Sequence, residues 1–225
     1  MNSYIHIAFA VNAVDMLPGI GYFAGLLLRL PAPAFYPLLA LSALVFGPLL
    51  LGLHAVVGGI RSGRHVWVSD CFLEARRNAK QGVALGLFLV TAGHLMLWNM
   101  FGGLTSDVPW IAFLLVVSRW VSVGFFLLLG LALPFVCQII ISVEQPLWAA
   151  VKNGLILARV HVGRGLLLLL GIGVYWWLTT ITIPAVSLFS LPLLSIALTA
   201  FAQASASLPP VEKYLLEPIR RQKKS

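Results

Sequence analysis

Apolar residues fall in long blocks, separated by short stretches rich in Arg, Lys, Pro and Gly. A helix that crosses a bilayer needs about 20 mostly apolar residues, and six stretches satisfy this: 4–28, 36–60, 82–101, 110–141, 165–183 and 185–206. The first is interrupted by Asn12, Asp15 and Pro18, and Arg29, Pro31 and Pro33 end it, because proline cannot continue a helix interior. The fourth is longer than a bilayer requires and is expected to tilt, bend near Gly130 and Pro134, or protrude. The apolar stretch 165–206 is cut at Ile183–Pro184 into a helical hairpin. The pattern predicts an all-α, polytopic membrane protein: one transmembrane domain, 1–208, and a polar tail, 209–225.

Charge placement supports the count of six. Arg61, Arg64, Arg76, Arg77 and Lys80 lie between the second and third spans, and Lys152, Arg159 and Arg164 between the fourth and fifth. Lys213, Arg220, Arg221, Lys223 and Lys224 lie in the tail. Six spans put all three clusters on one side, which the positive-inside rule makes cytoplasmic; five or seven would divide them. Both termini are then expected in the cytoplasm, in a multi-pass protein of the plasma membrane. No Lys or Arg precedes the first apolar stretch, so a signal peptide is not expected there.

The two polar stretches between spans predict short helices lying at the membrane surface. In the first, Val68, Phe72, Ala75 and Ala79 recur at helical spacing, with Glu74, Arg77 and Lys80 elsewhere, and Ser69 or Asp70 is available as a cap. In the second, Trp148, Val151, Leu155 and Ala158 form the stripe, with Lys152 and Arg159 off it and Pro146 suited to the first turn. Such helices bury one face at the headgroup boundary and hold cations against anionic lipid. Phe72, Arg76, Arg77, Lys80, Trp148, Lys152 and Arg159 are therefore the candidate docking or lipid-binding face. Phe72, Ala75, Arg77 and Asn78 match Leu147, Ala150, Lys152 and Asn153 at a constant offset of 75, hinting at an internal repeat of span, surface helix, span.

Composition narrows the alternatives. Of 225 residues, 60% are hydrophobic and 10% charged, against about 25% charged in a soluble domain. The net charge of +8 invites nucleic acid as a partner, but the cations sit between apolar blocks as topology signals, so none is expected. Cys71 and Cys137 form no metal or disulfide pattern. No phosphate loop, His-Glu-x-x-His motif or nucleophile elbow is present, and no cofactor is expected. Gly21/Gly25 and Gly82/Gly86 are spaced for close packing between membrane helices.

Ionisable residues inside spans are costly and usually functional, which singles out Asp15, His94 and Arg119, with Asn12 and Asn99 as polar company. At 1.5 Å per residue, His94 and Arg119 lie about 12–14 Å from the non-cytoplasmic ends of their spans, and Asp15 about 7 Å deeper, within reach of a long Arg side chain. The cluster reads either as a polar cavity for substrate or protons, or as an ion pair that fixes helix register. His54 and His161 are placed at the cytoplasmic interface, Cys71 as a packing residue and the tail as a topology anchor.

Three stretches resemble the YesL-like family of bacterial integral membrane proteins, a domain of unknown function. They are Phe46-Gly47-Pro48 with Leu53-His54-Ala55-Val56-Val57 and Arg61; Asp70-Cys71-Phe72 with Arg77-Asn78-Ala79-Lys80-Gln81; and Leu133-Pro134 with Lys152-Asn153-Gly154. Leu49, Leu50 and Leu51 replace small residues, and Ala79 replaces an aromatic, as in a divergent member. The resemblance transfers no catalytic residue. It implies an association with carbohydrate uptake, particularly ABC-type sugar transporters.

The leading expectation is thus a non-enzymatic accessory or regulatory membrane protein whose partners are the bilayer and ABC transporter subunits, with a homo-oligomer left open. The alternative is a small transporter or channel lined by Asp15, His94 and Arg119. An enzyme acting on lipid or polyprenyl substrates ranks last, since Asp70 and Glu74 are its only candidate groups and capping with an intrahelical ion pair accounts for both.

Overall fold

The structure, a computed structural model, describes residues 32–101, 105–143, 145–177 and 196–222. Among these residues the chain is helical and contains no strand. In chain order the helices are α1 (Ala32–Arg61), α2 (Val68–Arg77), α3 (Ala79–Phe101), α4 (Pro109–Val143), α5 (Leu147–Val160), α6 (Val162–Trp177) and α7 (Ile196–Val211). A π-helical turn, Glu212–Leu216, then leads into α8 (Glu217–Gln222).

Among the described residues, three stretches are long and apolar enough to cross a membrane: Leu39–Arg61, Ala79–Met100 and Pro109–Val143. A fourth is available if α5 and α6, which meet at 91°, count as one broken span. The first expected span, 4–28, lies outside the described residues, as do 178–195, where the hairpin turn was placed. Helix α4 neither stops nor breaks at Gly130 or Pro134. Its 35 residues reach about 52 Å at 1.5 Å each, well beyond the ~30 Å hydrocarbon layer.

Burial is concentrated at one end of the helices. The C-terminal half of α4, with Phe135, Cys137, Ile139 and Ile140 buried, meets Leu51 of α1, Leu85 of α3 and Ala150 and Leu157 of α5. Its N-terminal half exposes Trp110, Phe113, Trp120 and Phe126. Exposed apolar surface of this kind suits lipid, which is as apolar as the side chains.

Glycines set the tightest contacts. Gly47 of α1 lies against Gly82 and Gly86 of α3, and a methyl group added at Gly82 would stand 2.6 Å from Pro48 Cα. The Gly82/Gly86 spacing therefore marks a helix interface, whereas Gly21 and Gly25 lie outside the described residues.

An internal repeat is visible in this packing, but not at an offset of 75. Gly47 faces Gly86 and Pro48 faces Gly82 in the first half; Gly130 faces Leu169 and Leu131 faces Gly165 in the second. Every position in the second set is the first displaced by 83 residues. The helix breaks at Asn78 and His161 follow the same displacement. So do the buried pairs Cys71/Ala75 of α2 and Gly154/Ala158 of α5. The units are α1–α2–α3 and α4–α5–α6. The four-residue match at 75 is coincidental, because it pairs the α2–α3 break with the middle of α5.

Both short helices turn small residues inward. Cys71 and Ala75 of α2 are buried, and the Cys71 backbone lies on Gly52. Ala150, Gly154, Leu157 and Ala158 of α5 are buried, Gly154 against Val136. The expected stripes are thus only partly right. Phe72 stays 46% exposed and Trp148 80% exposed, because helices approach closely through small side chains and leave the large ones outward. Asp70 serves as the cap: its Oδ2 accepts from the Trp67 backbone N–H at 2.7 Å, the reciprocal half of a capping box. Gly63, at φ +74, makes the left-handed turn that ends α1.

Candidate functional site

The basic face is carried by the outer sides of α2 and α5 and by the first turn of α3. Arg76, Arg77 and Lys80 are exposed beside Phe72, and Lys152 and Arg159 are exposed beside Trp148. Arg77 also lies 3.8 Å from Glu74, a surface pair whose contribution is ~0–1 kcal/mol. Gln145 joins the two halves. Its backbone carbonyl accepts from Gln81 Nε2 at 3.0 Å, and its side-chain Oε1 accepts from Asn153 Nδ2 at 2.8 Å. Lys80 precedes Gln81 and Lys152 precedes Asn153, so this bridge draws Lys80 and Lys152 to one region. Arg159 lies two turns further along α5, about 10 Å away along the helix axis.

The proposed Asp15–His94–Arg119 cluster is not assembled by the described residues, since Asp15 lies outside them. His94 and Arg119 are both half-buried, and the His94 ring is 6.5 Å from that of Trp98. Asn99 makes a polar link between α3 and α4. It donates to Ser122 Oγ at 2.8 Å and accepts from Ser118 Oγ at 3.2 Å. The sequence marks Asn99 only as polar company of His94 and Arg119 and does not reveal its partners, because serine in an apolar run carries no pattern of its own.

A second polar group lies where sequence reasoning expected only an interface histidine. His54 of α1, Gln138 of α4 and Ser207 of α7 are completely or almost completely buried. Gln203 of α7 flanks His54, yet neither His54 nitrogen nor Gln138 Nε2 has a hydrogen-bond partner of normal geometry. Gln138 Oε1 approaches α1 at Gly58, 3.8 Å from where a methyl group would sit. Unpartnered polar atoms cost about 1–3 kcal/mol each inside a protein, so this seam between α1, α4 and α7 is a costly polar element among the described residues of the core. The signal available in the sequence was Gln138 and Gln203 inside apolar runs.

His161 sits at the break between α5 and α6, its ring 6.4 Å from Phe135 and 5.8 Å from Tyr214. The C-terminal segment is thereby packed onto the second repeat. Asp70 and Glu74 are engaged as capping and ion-pair groups. Among the described residues, no three His, Cys, Asp or Glu side chains gather as a metal site would require. Comparison with family models, curated proteins and solved structures finds no match to this chain.

Proposed function

We propose that this is a non-enzymatic, multi-pass protein of the bacterial plasma membrane that docks a membrane-embedded partner through its cytoplasmic face. Six spans place both termini inside, and α2 and α5 lie at the surface as the docking elements. The observation that carries this reading is the combination on both helices of a buried small-residue face, an exposed aromatic and a row of exposed cations. Bundle packing accounts for the outward turn of Trp148, 80% exposed, but not for the exposed cations Lys152 and Arg159 on the same helix. Cations at a desolvated rim favour an acidic partner surface and mainly raise its rate of encounter. The resemblance to YesL-like proteins points to subunits of an ABC-type carbohydrate importer as that partner.

The test is charge reversal. Arg77→Glu with Lys152→Glu is expected to abolish recovery of permease or ATPase subunits in a mild-detergent affinity purification, with the amount of folded protein unchanged. Undiminished recovery would overturn the docking reading.

The buried seam favours a second reading, a small transporter with an intramembrane polar site. Its residues are then His54, Gln138 and Gln203 in addition to His94 and Arg119. Polar side chains inside a membrane bundle commonly mark such paths. Loss of flux in liposomes on Gln138→Leu, at normal protein yield, would support it.

A further inference from the structure

A polar cavity of about 400 Å³ opens between α1, α2 and the end of α4. Arg64, His65, Asp70, Glu74 and Arg77 line it, over an apolar floor that includes Val56 and Ile141. The repeat shows what is unusual about it. Asp70, Leu73, Glu74 and Arg77 correspond, 83 residues on, to Asn153, Ile156, Leu157 and Val160. Those four residues line a smaller hollow of about 170 Å³ together with Tyr214 and Leu215 of the C-terminal segment. One groove thus occurs twice. In the second repeat it is mostly apolar and bordered by the chain's own Tyr214 and Leu215; in the first, three of its four equivalent positions are charged.

The charges in the first groove are not all spent on each other. Glu74 is engaged by Arg77 and Asn78. Asp70 uses Oδ2 for the Trp67 N–H, and Arg64 Nε donates to Ser62 Oγ at 3.2 Å. Among the described residues no ion pair joins Arg64 or Asp70 to any side chain. A guanidinium and a carboxylate therefore share one cavity unpaired, which suits a ligand carrying both signs of charge. The cavity lies at the ends of apolar helices; Leu73, 64% exposed, lines it, and Trp67, 70% exposed, is tied to it by the bond from its N–H to Asp70. Aromatic residues at this level mark the headgroup region of a bilayer.

We infer that this cavity binds a zwitterionic phospholipid headgroup, with phosphate on Arg64 and a primary ammonium on Asp70. A guanidinium presents its donors as a planar fork that matches phosphate oxygens. Ethanolamine headgroups carry the primary ammonium that choline lacks, and glycerol headgroups carry no cation. The inference rests on placing α2 at the membrane surface, but it requires no protein partner.

The full-length protein in detergent, offered phosphatidylethanolamine, phosphatidylglycerol and phosphatidylcholine in native mass spectrometry, is expected to retain the first at least about tenfold over the others. Arg64→Gln should lower that retention about tenfold. Asp70→Asn keeps an oxygen for the Trp67 N–H and should shift preference toward phosphatidylglycerol, a change that a purely structural role would not produce. Melting temperatures of all three proteins separate binding from folding. Free phosphoethanolamine that fails to displace the lipid identifies the bilayer as the source, whereas displacement at micromolar concentration identifies a soluble ligand of the same chemistry. Equal retention of the three lipids by the wild type, or wild-type profiles in both variants, would overturn the site. Failure here leaves the docking of α2 and α5 intact, and failure of the Arg77/Lys152 reversal leaves this site intact.

Discussion

Arg61, the last residue of α1, donates from its guanidinium to the backbone carbonyl of Ser205 in α7. The acceptor is free for a reason written in the sequence: the residue four positions later is Pro209, which has no N–H to return. The bond ties a basic helix end to a proline-interrupted helix, and α7 continues through Pro209 and Pro210 into the π-helical turn at Glu212–Leu216.

The first prediction follows from that pair. Arg61→Ala should destabilise the protein by about 1 kcal/mol, the usual net worth of such a bond where solvent has access. Pro209→Ala restores the missing donor, so the cost of Arg61→Ala should nearly vanish in that background. A double-mutant cycle on thermal unfolding in detergent measures the coupling.

Glycine positions should divide sharply. Gly86→Val places branched carbon against Ala43 and Gly47 of α1 and is expected to cost at least ~3 kcal/mol, the upper range for overpacking. Gly93, with nothing within 4 Å of an added methyl group, should accept Ala without loss. Melting temperatures of the two variants check the contrast.

Asn99→Leu removes the bonds to Ser118 and Ser122. The expected loss is about 0.6–1.7 kcal/mol, from the average to the largest value found for hydrogen bonds between membrane helices in double-mutant cycles. Ser122→Ala in the Asn99→Leu background should add little, which unfolding measurements on the pair can establish.

At the buried seam the sign is expected to reverse. His54→Leu removes two nitrogens that make no hydrogen bond of normal geometry, with Gln203 flanking the ring, so thermal stability should hold or rise, as it does when buried poorly paired polar groups give way to apolar ones of similar shape. A large loss of stability would show that the imidazole is satisfied in the membrane by water or a bound ligand.

Much of this was legible in the sequence. The apolar stretches 36–60, 82–101 and 110–141 correspond within a few residues to Leu39–Arg61, Ala79–Met100 and Pro109–Val143, because hydropathy averaged over 20 residues is insensitive to packing detail. The inward faces of α2 and α5 were not legible. In a soluble protein Phe72 and Trp148 would mark the core, but a lipid solvent lets large apolar residues point outward and small ones point in. His54 reads as an interface residue because it lies toward the cytoplasmic end of an apolar stretch, whereas its burial depends on α4 and α7, which are remote in sequence. The repeat was suspected at the wrong displacement because helical sequences share letters by chance, and the contacts of Gly47, Gly82, Gly130 and Gly165 are what fix it.

Both basic helices can act as one docking face only if they lie on the same side of the membrane. Cys71 and Cys137 are both buried, so replacing both with Ala gives a background for single cysteines at Arg76, Asp107, Arg159 and Arg221. A membrane-impermeant maleimide, applied to right-side-out and inverted vesicles, then reads each position. Labelling of 76, 159 and 221 only in inverted vesicles, and of 107 only in right-side-out vesicles, is the predicted result. Labelling of 76 and 159 from opposite sides would contradict the six-span topology and the docking face built on it.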